Sequence, residues 1–135
     1  MDRNTATLQA MYEGFNARDI DRVLAALAAD VAWANGMEGG HEHGLDAVRA
    51  YWTRQWALVS PTVKPLGFEN RPDGTVLVTV AQSVRDLEGN PLQDKGFGLQ
   101  DKLVGHVFRF GGGKVTRFDI LDIAQETGAQ ETGTQ

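Results

Sequence analysis

The sequence predicts an α+β domain in which three N-terminal helices pack on a strongly curved antiparallel sheet, forming a cone with an internal pocket. Three observations carry this. Apolar residues recur at helical spacing before Pro61 and in strand-like alternation after it, the segregation that marks α+β architecture. Two alternating apolar runs, Leu103 to Phe110 and Lys114 to Asp122, meet at Gly111-Gly112-Gly113, a strong β-hairpin signal. A chain of 135 residues, 41% hydrophobic and 23% charged, suits one domain with a single core.

The elements follow in order. Helix one is expected over about residues 5–17, where Leu8, Met11, Tyr12 and Phe15 form one apolar stripe and Asn4 or Thr5 caps the start. Helix two is expected over 20–29, with Asp19 as N-cap and Ile20, Val23, Leu24 and Leu27 repeating the spacing. Val31-Ala-Trp33 reads as a short strand, and 35–44 as a glycine-rich loop. Helix three covers about 45–59, with Leu45, Val48, Trp52, Gln55, Trp56 and Val59 along one side, and Pro61 stops it. A strand from Val63 to Arg71 follows, whose Pro65 points to a sheet edge or bulge. Thr75 to Val84 is rich in β-branched residues, residues 92–99 read as a polar loop, and the hairpin closes the sheet. The domain is expected over residues 1–123. The tail, 124–135, repeats Ala-Gln-Glu-Thr-Gly twice, offers nothing to bury and reads as disordered.

Composition narrows the function. The net charge is −5 and the basic residues are scattered, which argues against nucleic acid as a partner. There is no cysteine, so disulfides, thiolate metal sites and a cysteine nucleophile are excluded, and a cytoplasmic location is expected. No segment approaches the ~20 apolar residues of a membrane span, and the N-terminus lacks the apolar core of a signal peptide. No glycine-rich phosphate loop runs from a strand into a helix.

A two-residue Gly112-Gly113 turn places His106 opposite Asp119, on the face of Phe108 and Phe110. A carboxylate orienting an imidazole makes a candidate acid–base pair; the plainer alternative is a cross-strand contact that fixes register. A three-residue turn would instead bring His106 to Phe118 and dissolve the pair. His41 and His43 share one side of an extended segment, but no third ligand is evident, so no metal is assigned; His41 is kept as a candidate ligand contact. Tyr12, Phe15, Trp33, Trp52, Trp56 and Phe108 are candidates for an apolar pocket wall, where core and binding surface coincide. Gln82 and Arg85 point to opposite faces; Gln82, in phase with Val78 and Val80, is the one expected to face the pocket. Asp30 reads as a helix-end or turn residue. Leu103, Val107, Phe118 and Ile120 are expected on the face away from His106.

Four segments together resemble the nuclear transport factor 2-like superfamily, in its SnoaL-like polyketide cyclase and ketosteroid isomerase branch. They are Tyr12-Glu-Gly-Phe-Asn-Ala-Arg-Asp19, Leu27-Ala-Ala-Asp-Val-Ala-Trp33, Gly44-Leu-Asp-Ala-Val-Arg-Ala-Tyr-Trp52, and Val107-Phe-Arg-Phe-Gly-Gly-Gly-Lys-Val-Thr-Arg-Phe-Asp119. The likeness covers about residues 5–123. It implies a homodimer formed through the outer sheet face. It also implies one of two functions: a lyase or isomerase acting by general acid–base chemistry on an apolar ring-shaped substrate, without a cofactor, or a non-catalytic binding or protein-interaction module using the same cavity. Neither a tyrosine-plus-protonated-aspartate oxyanion pair nor an Asp-Arg-Asp arrangement is evident.

Overall fold

The computed structural model describes residues 3–36, 38–90 and 102–121. The polar loop at 92–99 and the tail at 124–135 lie outside these. The element order is α1 (Arg3–Asn16), α2 (Ile20–Leu24), β1 (Leu27–Ala34), β2 (His41–His43), α3 (Leu45–Leu58), β3 (Ser60–Asn70), β4 (Val76–Arg85), β5 (Lys102–Gly111) and β6 (Lys114–Leu121). Among the described residues, six strands form one open sheet in the order β2-β1-β6-β5-β4-β3. Four pairings are antiparallel, while β1 and β6 run parallel, so the sheet is mixed rather than wholly antiparallel. No helix among the described residues is long and apolar enough to cross a membrane.

Helix two is shorter than its apolar spacing predicts. Asp19 caps it as expected, its side chain accepting from the Arg22 amide at 3.1 Å. The chain then leaves the helix because β6 competes for its backbone. Lys114 Nζ donates to the Ala25 carbonyl at 2.6 Å and the Val115 amide to the Ala26 carbonyl at 2.9 Å. Leu27, in phase with the helix by spacing, becomes the first residue of β1 and pairs with Val115. Tertiary pairing overrides a local preference worth about 0.5 kcal/mol per residue. In the glycine-rich segment, β2 forms against β1, with Ala34 opposite His41 and Ala32 opposite His43. On β3, an edge strand, the register shifts between Pro65 and Gly67, where proline was expected to force it.

The core lies between the helices and the inner sheet face. Leu8, Met11 and Tyr12 of α1, Val48 and Trp52 of α3, and Val76, Val78 and Val80 of β4 are buried there. Trp33, Trp52, Phe108 and Phe118 form its aromatic centre, with Trp33 stacked on Phe118 at 4.1 Å and edge-on to Trp52 at 4.9 Å between centroids.

The hairpin contains the main departure from expectation. Gly112 and Gly113 do form a two-residue turn, with φ of 61° and 83°, the left-handed values a type I′ turn requires. Next to the turn the register is the expected one, Gly111 opposite Lys114 and Phe110 opposite Val115. A bulge then intervenes between Arg109 and Phe110, with Thr116 the extra residue on β6. Beyond it Arg109 pairs with Arg117, Phe108 with Phe118, Val107 with Asp119 and His106 with Ile120. One extra residue exchanges the faces of everything that follows. Phe118 and Ile120 turn inward, against the expectation that they share the outer face with Leu103 and Val107, and Asp119 turns outward.

Candidate functional site

A pocket opens between α1, α3 and the inner sheet face; the empty space in and around it, open solvent included, is about 600 Å³. Most of its wall is apolar, with Met11, Phe15, Trp33, Trp52, Val63 and Phe118 prominent. Its polar side chains are Tyr12, Tyr51, Gln55, Gln82 and His106. None of the described lining residues is aspartate, glutamate, lysine or arginine.

His106 reaches the wall through strand alternation: Val104, His106 and Phe108 of β5 all face inward and are buried. Tyr12 reaches it on the α1 stripe. Tyr12 Oη lies 2.8 Å from His106 Nδ1, and the two rings stack at 5.8 Å with an interplanar angle of 11°. Phe118 meets the imidazole edge-on at 4.8 Å. Burial pushes the His106 pKa down to about 3 and holds the Tyr12 hydroxyl well above its ordinary value. Both groups are therefore neutral near pH 7, and their chemistry is that of hydrogen-bond donors and acceptors.

The bulge removes Asp119 from this site, so the expected His106–Asp119 pair does not form. On the outer side of the sheet, Asp119 Oδ1 lies 2.8 Å from His41 Nε2, and Arg117 Nε donates to its Oδ2 at 2.8 Å. Partial burial raises the Asp119 carboxyl, but the hydrogen bonds from Arg117 and His41, with their charges, outweigh it and keep it below the ordinary carboxylate value. Tyr12 takes the place at His106 that Asp119 was expected to hold.

Of the other candidates, Tyr12, Phe15, Trp33, Trp52 and Gln82 line the pocket. Three do not. Trp56 stacks behind Trp52 at 6.1 Å, Phe108 sits beneath the Tyr12 and His106 rings, and His41 lies with Asp119. The rings of His41 and His43 are 6.5 Å apart, and among the described residues no three metal-binding side chains converge. Asp30 lies within β1, exposed, rather than in a turn. Among the polar lining residues, Tyr51 and Gln55 were not foreseen as site residues. Tyr51 Oη accepts from Gln55 Nε2 at 2.8 Å and from the Gly36 amide at 3.0 Å, which ties α3 to the loop after β1. The available signal was Gln55 itself, a polar residue on the apolar stripe of α3.

The SnoaL-like domain model matches residues 8–118, and the chain belongs to that family within the nuclear transport factor 2-like superfamily. Among solved structures it is similar to a nuclear transport factor 2-like protein of unknown function from Burkholderia pseudomallei, at 29% identity and a TM-score of 0.74, over 93% of this chain and 95% of that one. It is similar to a protein described as a candidate polyketide cyclase from Xanthomonas campestris pv. campestris, at 26% identity and a TM-score of 0.67, over 95% and 96% of the two chains. It shares its fold with TerC, crystallised with polyporic acid, at 23% identity and a TM-score of 0.73, over 94% and 97%. A search of curated proteins finds no match.

Proposed function

We propose that this chain is a small-molecule lyase or isomerase that holds an apolar, ring-shaped substrate in the cone and addresses its polar atoms through His106, which Tyr12 positions. The observation that carries the reading is the buried, neutral Tyr12–His106 pair on an otherwise apolar wall. A buried polar pair open to a cavity supplies orientation and charge stabilisation where a ligand would otherwise meet only hydrocarbon. The candidate cyclase and the polyporic acid complex among the similar structures support a ligand of this kind. The test follows the absorbance of a panel of conjugated cyclic ketones with the unaltered protein and with His106→Ala. Turnover that disappears in the variant supports the proposal; equal turnover in both removes His106 from it.

A second reading, a non-catalytic binding module, is favoured by one observation: no described lining residue is a carboxylate able to take a proton from carbon. Saturable binding across the panel without turnover would select it. We further propose that two copies associate through the outer sheet face, where Leu103 is 43% exposed beside Val107 and Leu121, and that the cysteine-free chain works in the cytoplasm.

A further inference from the structure

We propose that Tyr12 sets the tautomer of His106 so that the imidazole presents Nε2–H to the cavity, and that the pocket thereby selects flat apolar rings bearing a carbonyl-type oxygen. The inference rests on the pocket reading above and names the ligand chemistry it leaves open.

The argument begins with the tyrosine proton. Tyr12 is 3% exposed, and its hydroxyl has one hydrogen-bond partner among the described residues, His106 Nδ1. If Nδ1 carried the proton and donated to the tyrosine oxygen, the hydroxyl hydrogen would be left buried with no acceptor, a full desolvation penalty. The hydroxyl therefore donates and Nδ1 accepts. A neutral imidazole has one N–H, and with Nδ1 accepting it sits on Nε2. Burial disfavours the doubly protonated ring, which would set a second N–H against the hydroxyl.

The ring is held in this orientation. Tyr12 stacks on it, while Phe108 and Phe118 meet it edge-on at 6.2 and 4.8 Å. Nε2 is not fully enclosed, since among the described residues the sole fully enclosed side-chain nitrogen or oxygen without a partner is Trp56 Nε1, and His106 lines the cavity. The pocket thus offers a fixed, uncharged donor on an apolar wall. A carbonyl oxygen satisfies it without having to surrender a proton or a charge. A ligand without an acceptor leaves Nε2–H desolvated and unpaired. Tyr12 acts through His106 and is a positioning residue.

The experiment reads tautomer and selectivity separately. Long-range proton–nitrogen correlation on the ¹⁵N-labelled protein at neutral pH should show Nε2 of His106 as pyrrole-type and Nδ1 as pyridine-type. Tyr12→Phe keeps the ring but removes the hydroxyl, and should draw both nitrogens toward averaged shifts. Tryptophan fluorescence titration should show fluorenone binding about tenfold tighter than fluorene, which has the same flat frame without the oxygen, and Tyr12→Phe should shrink that ratio. A pyrrole-type Nδ1 in the unaltered protein, or unchanged shifts in Tyr12→Phe, would overturn the tautomer assignment. Equal affinity for the two compounds would overturn the selectivity. Binding of neither would overturn the pocket reading itself, while the nitrogen shifts would still decide the tautomer.

Discussion

At the scale of single residues, the burial that keeps His106 neutral also makes the fold sensitive to acid. The imidazole titrates near its ordinary value in the unfolded chain and at about 3 in the folded one. Between those values the unfolded state binds more protons, so stability rises with pH. The His106 contribution is fully present above about pH 6.5 and drains away as pH falls toward 3, by at most about 1.4 kcal/mol per pH unit. Melting temperatures of the unaltered protein and of His106→Gln, measured in parallel from neutral pH downward, should converge as the medium acidifies; parallel curves would count against the burial argument. Tyr12→Phe leaves Nδ1 without its donor and should cost about 1–3 kcal/mol in urea denaturation. Asp119→Ala is the contrasting case. Its carboxylate is 37% exposed on the far side of the sheet, so the loss should be about 0–1 kcal/mol, with ring-ligand affinity unchanged. A larger effect of Asp119→Ala on binding would show that the two faces communicate.

At the scale of elements, the hairpin bulge decides which residues form the pocket wall. Deleting Thr116, the extra residue, would leave Arg109 opposite Arg117 and Phe108 opposite Phe118, so Phe118 and Ile120 would keep facing inward and Asp119 outward. The deletion should therefore keep a cooperative transition, monitored by circular dichroism, as should Phe118→Ala, which empties part of the aromatic centre and should lose about 3–5 kcal/mol. Loss of cooperative melting in the deletion variant would mean that the bulge is needed for more than its effect on register. The hairpin also shows what could be read beforehand. The turn was legible because only glycine adopts both left-handed positions cheaply, and β4 was legible because its buried residues alternate strictly. The bulge was legible too, in the spacing of Val115, Phe118 and Ile120, three residues and then two. Perfect alternation assumed from the turn hid that signal and with it the partner of His106. Helix two misled for another reason: its apolar spacing is helical, but β6, remote in sequence, claims the Ala25 and Ala26 carbonyls. Tyr12, Trp33 and Trp52 were legible as pocket residues because the wall is the core face. Tyr51 was not, since its hydroxyl is held by Gln55 and Gly36, contacts that exist only once α3 has docked.

At the scale of the whole molecule, the proposed association through the outer face gives a direct expectation. Light scattering should report twice 14.7 kDa, and Leu103→Glu with Val107→Glu should halve it; a chain that weighs 14.7 kDa without substitution would end the proposal. The strand order has a consequence of a different kind, for the nascent chain. Among the described residues β6 is the last strand synthesised, yet it lies between β1 and β5 in the sheet. Until it leaves the ribosome, the polypeptide holds two partial sheets, β2-β1 and β5-β4-β3, each with an unpaired edge facing the gap. Neither can borrow the other's edge without the intervening strand, and Phe118 is missing from the aromatic centre. The fold is therefore completed only after synthesis has passed residue 121. During that interval the two open edges are where a chaperone or a neighbouring nascent chain would take hold.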